Sequence, residues 1–311
     1  MRIFEYRAGT KLPLDGSVIA LGFFDGVHAA HRQLIGDGMR IAKERGTPFA
    51  VFTFSSESGL KSAAPRIYST EDRLSLIADM GVECVILSDF DSVSGMSPEE
   101  FVGEALIRDM GCAVAVAGYN FRFGWGASGS SDDLCRLMRL AGGEAVIHGE
   151  YTHLGDPISA TVIREKLNTG DVSGARELLT VPYFVKGRVS HGRSEGRRLG
   201  FPTVNMSLPE GRATVASGVY KTAIPIGDRL YTGITNVGIC PTFESRAAHL
   251  ETYILDFDGD LYERELTVYF IDYLRPERKF SSPEELTRQI AYDRQKAKGD
   301  LTWQEIGLKS R

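Results

Sequence analysis

Residues 18–31 read Val-Ile-Ala-Leu-Gly-Phe-Phe-Asp-Gly-Val-His-Ala-Ala-His. The apolar run Val18–Phe23 predicts a buried strand. Gly22 and Gly26 bracket a tight turn. From His28 the pattern changes to helical spacing as far as Arg45, and Gly46 stops it. A buried strand, a glycine turn and a helix are the opening half of a strand–helix–strand unit. His28 and His31 stand three apart, so they share nearly one helix face. A helix start offers free N–H groups and positive dipole charge, which suit a phosphate. Taken alone, the pair also fits two polar residues capping an ordinary helix.

The same alternation continues outward. Phe49–Phe54, Cys84–Leu87, Ala113–Ala117 and Ala145–Ile147 read as further short strands. Helices are predicted from Ser69 or Thr70 to Met80 and, behind the capping signature Ser97-Pro98-Glu99-Glu100, to about Asp109. This predicts a parallel sheet covered on both faces. Beyond two short helical pieces, Ile163–Asn168 and Ser173–Leu179, the period changes near residues 180–182. Phe184–Val189, Gly218–Ile226, Leu230–Val237, Glu251–Leu255 and Leu266–Asp272 are β-branched or aromatic runs. Turn signals at Gly227-Asp228 and Asp258-Gly259-Asp260 break them. The expectation is an antiparallel, barrel-like domain, closed by a helix from Ser282 to about Lys298.

Composition narrows the possible functions. The 311 residues carry a formal charge of -5, with 42% hydrophobic and 25% charged residues. A basic face for nucleic acid is not expected, and no apolar stretch is long enough to cross a bilayer. Cys84, Cys112, Cys135 and Cys240 form no C-x-x-C pair, and the expected location is the cytoplasm, with reduced thiols. Self-association is left open.

Three more segments carry chemistry. Gly118-Tyr119-Asn120-Phe121-Arg122-Phe123-Gly124 follows a strand directly, where parallel sheets bind ligands. Its aromatics fit either a flat ring or the core. Ile158-Ser159-Ala160-Thr161-Val162-Ile163-Arg164 opens a helix with hydroxyls and an arginine able to grip a polyphosphate. Gly187-Arg188-Val189-Ser190-His191-Gly192 leads through Gly196–Gly200 to Phe201-Pro202-Thr203-Val204-Asn205. Backbone N–H groups in such a loop can wrap phosphates. Thr203 and Asn205 alternate, so two neutral oxygens face one way, as suits Mg²⁺. Glu251 opens an apolar strand, where a carboxylate can take the proton of an attacking hydroxyl or can simply be a solvated edge residue.

The first three segments, in this order, resemble the adenylyltransferase half of bifunctional bacterial riboflavin kinase/FAD synthetases. The glycine loop, GFPTVN at 200–205, TNVG at 235–238, Glu251 and Leu274–Phe280 resemble the kinase half. The resemblance implies an α/β plus β protein. A Rossmann-like nucleotidyltransferase domain would span 1–182. A six-stranded riboflavin kinase barrel with a C-terminal helix would span 183–311. It implies ATP, riboflavin and FMN as substrates, Mg²⁺ as cofactor, and no nucleic-acid or membrane partner. His28 and His31 match the signature histidines. Gly22, Phe24, Asp25, Ser159, Thr161 and Arg164 would also bind ATP there. Asn120, Phe121, Arg122 and Phe123 would hold flavin. In the barrel, Gly187, His191 and Gly192 would bind ATP, Thr203 and Asn205 the metal, Glu251 would act as catalytic base, and Arg275 would close over flavin. This chain departs from the pattern at Ala30, Ala160 and Ser55-Ser56-Glu57. A kinase with a decayed adenylyltransferase half is the alternative reading.

Overall fold

The structure is a computed structural model, and it describes residues 1–55, 64–190, 201–208, 211–239, 248–299, 301–304 and 306–307. It divides into two compact units, Met1–Ala160 and Thr161–Arg311. That division precedes the change of period near 182, because α6 (Ala160–Thr169) and α7 (Val172–Leu179) fall with the second unit.

The first unit is built on a six-stranded parallel sheet. Its strands are β1 (Arg2–Tyr6), β2 (Ser17–Leu21), β3 (Phe49–Phe54), β4 (Cys84–Ser88), β5 (Cys112–Gly118) and β6 (Glu144–His148). They lie in the order β1-β4-β3-β2-β5-β6. The interior strands are continuous apolar runs: all five residues of β2 are buried. Such runs belong to strands covered on both faces. The helices are α1 (Ala29–Arg45), α2 (Thr70–Asp79), α3 (Asp91–Ser94), α4 (Pro98–Glu100) and α5 (Ser131–Leu140). Helix α4 opens in the expected capping box of Ser97 and Glu100, then widens into π-type turns over Phe101–Asp109. A small hairpin, β7 (Thr152–His153) with β8 (Asp156–Pro157), precedes α6.

β1 is an addition to the sequence reading. Arg2 and Glu5 gave it a mixed, charged look, yet it pairs with β4 from Arg2↔Cys84 to Tyr6↔Ser88. An edge strand faces solvent along one side, so its pattern is diluted by charge. Tyr6 turns inward, and its hydroxyl donates to buried Asp109 at 3.0 Å.

In the second unit, β9 (Phe184–Arg188), β10 (Thr203–Ser207), β11 (Gly218–Ile226), β12 (Arg229–Ile239), β13 (Ala248–Ile254) and β14 (Glu265–Arg275) form one antiparallel sheet. Their order is β10-β13-β12-β11-β14-β9. The ends approach closure through the Ser190–Asn205 bridge, where Ser190 N–H donates to the Asn205 carbonyl at 2.9 Å. The β11–β12 turn is the expected two-residue Gly227-Asp228, with Gly227 at φ 58°. Inside, the hydroxyls of Thr222, Thr235 and Thr252 form a ladder with both steps at 2.8 Å. All three are buried, so each polar group is satisfied within the apolar interior.

Helix α8 (Pro283–Ala297) is held to β14 by Arg275, whose Nε and Nη2 reach the Asp293 carboxylate at 2.8–3.1 Å. Gln289 also donates to Asp293, at 2.7 Å. The Asp293 side chain is 2% exposed and that of Arg275 18%. Arg275→Met should therefore destabilise the barrel unit by about 3 kcal/mol, because a buried carboxylate loses its charge partner. Urea unfolding followed in the barrel transition checks this.

Candidate functional site

Strand order reverses between β2 and β5, which are remote in the chain yet hydrogen-bonded neighbours, each flanked on its other side by the next strand in sequence, β3 or β6. Ligands of open parallel sheets bind beyond the carboxyl ends of strands at such a point. The turn 22–28 leaves β2 there, and the loop 118–124 leaves β5 there.

The turn is strained and heavily fastened. Phe24 and Val27 hold positive φ, 55° and 44°, beside Gly26 at 84°. Asp25, 5% exposed, accepts the Ile67 N–H at 3.0 Å. Arg32 Nε donates to the Val27 carbonyl at 3.0 Å. Strained backbone persists when its surroundings over-determine it, and such strain clusters at functional sites. The Phe24 ring folds back under Gly22, where a Cβ would stand 2.9 Å from it. That ring is 2% exposed, so Phe24 stands behind the site and offers ATP no side chain.

His28 caps α1. Its Nδ1 accepts from the His31 N–H at 3.4 Å, a long bond. The two imidazoles stack at 3.5 Å between centroids, and Phe24 meets His31 edge-on at 5.2 Å. Burial lowers the His28 pKa to about 4. Burial, then His28, then Arg73 hold His31 well below the usual histidine range. Both rings are neutral at pH 7. A polyphosphate favours their charged forms and works against this depression. Ala30, where the resemblance expects glycine, is the second residue of α1 and keeps ordinary helical backbone. The position makes no conformational demand for glycine.

These rings also set an acid limit. Below pH 6.5 the unfolded chain takes up a proton that folded His28 refuses until about pH 4. Stability of the first unit should fall by about 3 kcal/mol from His28 alone as pH drops through that window. Urea midpoints at several pH values check this, and His28→Gln should flatten the slope.

In the loop after β5, Asn120 and Arg122 are exposed. Phe121 and Phe123 stack at 5.7 Å, and Phe123 also meets Phe101 at 5.3 Å. Phe123 is 6% exposed and belongs to the core, so its ring supports the loop and is not offered to flavin. Ser159 precedes α6, and Thr161 and Arg164 lie in its first turns.

On the barrel, Asn236, Glu251 and Asn205 fall in one row across β12, β13 and β10. Thr252 points into the hydroxyl ladder, so Glu251 stands on the opposite, outer face. Thr203 donates its hydroxyl to Glu251 Oε1 at 2.7 Å. His249 Nε2 meets Asn205 Oδ1 at 2.8 Å. A cleft of about 540 Å³ lies against this strand, lined among others by Thr203, Asn205, Phe257, Asp258 and Tyr262. Among the described residues no cluster of three or more His, Cys, Asp or Glu can hold a metal. Thr203 and Asn205 instead supply neutral hard oxygens, which fit a cation that keeps water and phosphate in its shell. Thr203 gives its proton to Glu251, so its lone pairs face away from that bond. Gly187 lies on β9. His191 and Gly192 lie outside the described residues. Arg275 is committed to Asp293, and its remaining Nη1 donates to the Pro276 carbonyl at 3.1 Å. It pins the strand rather than reaching freely for flavin.

The sequence reading missed His249 and Arg73. His249 stands two residues before Glu251, and on a strand that spacing puts both on one face, which was the available signal. Arg73 looked like one more helix charge.

Histidines at the switch point of a parallel sheet, joined to a barrel wall with a carboxylate beside paired neutral oxygens, are marks of a two-site phosphate-group transferase. The comparisons with known proteins agree. A family model described as FAD synthetase matches residues 11–162, and one described as riboflavin kinase matches residues 179–301. The bifunctional riboflavin kinase/FMN adenylyltransferase of Bacillus subtilis is 33% identical over 290 residues, 90% of this chain and 91% of that protein. The Escherichia coli K12 protein of the same name is 30% identical over 290 residues, 91% of this chain and 92% of that one. A crystal structure described as a macrolide-efflux protein from Streptococcus pneumoniae superposes with TM-score 0.85 at 29% identity, covering 95% of this chain and 98% of that one. The chain belongs to the bifunctional riboflavin kinase/FMN adenylyltransferase family. No helix among the described residues is long and apolar enough to cross a membrane.

Proposed function

We propose that this chain phosphorylates riboflavin to FMN with ATP in its second domain and adenylylates FMN to FAD in its first, releasing pyrophosphate. The observation that carries the reading is the joint match of both family models along one chain, in the order of the two folds. It favours two activities over a kinase with a decayed partner. We take 1–182 and 183–311 as the functional domains, so that Ser159, Thr161 and Arg164 serve the adenylyltransferase.

In adenylylation an FMN phosphate oxygen attacks the α-phosphorus of ATP and pyrophosphate leaves. His28 and His31 hold the phosphates at the start of α1, with Gly22 and Asp25 shaping the turn, and stabilise charge as it moves. Asn120, Phe121 and Arg122 are assigned to flavin. In the kinase, the riboflavin 5′-hydroxyl attacks the γ-phosphorus. Glu251 takes the hydroxyl proton, and Thr203 orients its carboxylate. Thr203 and Asn205 would hold Mg²⁺, which when bound neutralises charge on the phosphates. Both reactions belong in the cytoplasm, with small-molecule partners only.

The test is chromatography of a reaction holding riboflavin, ATP and Mg²⁺. FMN should rise and then give way to FAD. FMN that accumulates without FAD would establish the kinase alone.

A further inference from the structure

Arg73 is the largest fully buried side chain described, 1% exposed. A buried guanidinium ordinarily has a carboxylate in contact with it. This one spends its hydrogen bonds on neutral oxygens. Nη1 donates to the Phe23 carbonyl and, at 3.0 Å, to Thr53 Oγ1; Nη2 donates to the Phe54 carbonyl at 2.6 Å. Thr53 Oγ1 itself donates to the Phe23 carbonyl at 3.0 Å. Arg73 Nε is buried without a partner. The guanidinium also lies 4.4 Å from the Phe23 ring centroid, and Arg66 lies 4.3 Å from the same ring.

These contacts converge on one place. Phe54 is the last residue of β3, and Phe23 lies two residues beyond the end of β2. Phe23 belongs to the turn that delivers His28 and His31. The segment from Arg66 to Arg73, which leads into and opens α2, therefore clamps the phosphate-binding turn three ways: Arg73 on the Phe23 carbonyl, two guanidiniums on the Phe23 ring, and Ile67 on Asp25. Asp25 is the carboxylate whose charge acts on Arg73 through space. Burial lowers the Arg73 pKa to about 10, so it is charged at pH 7.

We infer that Arg73 is a positioning residue for adenylyl transfer: it locks the carboxyl ends of β2 and β3 and sets a fixed positive charge beneath the turn that carries His28 and His31. The charge is held by neutral dipoles, so no local carboxylate cancels it by contact. It remains available to a polyanion seated on the turn. In a water-poor site such a preset charge counts for more than in solvent. The inference rests on the adenylyltransferase reading of the first domain.

The test uses the full chain, with riboflavin phosphorylation by the barrel as an internal measure of intact protein. Arg73→Lys keeps the charge but cannot span three acceptors. Arg73→Gln keeps donors but loses the charge. The expected result is a loss in kcat for FMN adenylylation of about 10-fold for Arg73→Lys and about 100-fold for Arg73→Gln, with KM for ATP within about 3-fold. Kinase rates stay near wild type, and a cooperative thermal transition of the first unit, at a lower midpoint, shows that each variant is folded. A folded Arg73→Gln protein with unchanged kcat overturns the inference, as does a rise in KM alone. If Arg73→Gln does not fold, Arg73→Lys decides: wild-type kcat in that variant overturns it. Wild-type protein that makes no FAD from FMN would overturn the underlying reading instead.

Discussion

Glu251→Gln is expected to lower riboflavin phosphorylation by about 10³-fold while leaving FAD synthesis from supplied FMN at the wild-type rate. The substitution preserves size and a hydrogen-bond acceptor for Thr203, so the 2.7 Å contact can survive. What it removes is the capacity to accept a proton as the 5′-hydroxyl attacks. Little packing is at stake, because Glu251 lies on the outer face of the barrel, opposite the buried Thr252. Rates of FMN and FAD formation, measured separately on one preparation, check the claim. If both activities fall together in folded protein, the two sites are not independent. If neither falls, Glu251 is not the base.

His31→Ala should have the converse effect: FAD synthesis from FMN falls by about 10²–10³-fold and riboflavin phosphorylation is unchanged. The His31 ring is stacked on His28 at 3.5 Å and backed by Phe24. In the proposed mechanism, removing it takes away one donor to the phosphates, and in the structure it removes the ring stacked on His28. His28→Ala should therefore show non-additive loss when combined with His31→Ala. A double variant whose loss is the product of the two singles would mean that the rings act separately. Retained FAD synthesis in His31→Ala would move the phosphate site away from this helix start.

The sequence showed the interior of the first sheet well, because β2, β3, β4 and β5 are buried apolar runs with helices between them. It hid β1, whose edge position admits Arg2 and Glu5. It marked the tight turn after β2 through Gly22, Gly26 and the histidine pair, since glycine placement there answers to steric need: a Cβ at Gly22 meets the Phe24 ring. It could not tell which aromatics face a ligand. Phe24 and Phe123 read as site residues and turned inward, because alternation in a loop does not define a face as it does in a strand. Arg275 sat in a recognisable segment, but its partner Asp293 lies on a different element, and pairing over that distance leaves no local signature. Arg73 was invisible for the opposite reason. Its helix is amphipathic by pattern, and an arginine near a helix start is ordinarily solvated. Domain limits depended on what was asked: the change of period falls near 182, whereas packing groups α6 and α7 with the barrel.

The β-strands of the barrel lead two separate lives. Their inward side chains, with the Thr222–Thr235–Thr252 ladder at the centre, keep the sheet folded. Their outward side chains, the row Asn236–Glu251–Asn205, lie on the face to which we assign the kinase chemistry. Neighbouring positions on one strand thus answer to different selective pressures. Changes on the outer face would be read out in activity before stability. Changes inside would be constrained in pairs or triplets, because removing one hydroxyl strands the next. For an engineer the alternation separates, residue by residue, changes that test activity from changes that test folding.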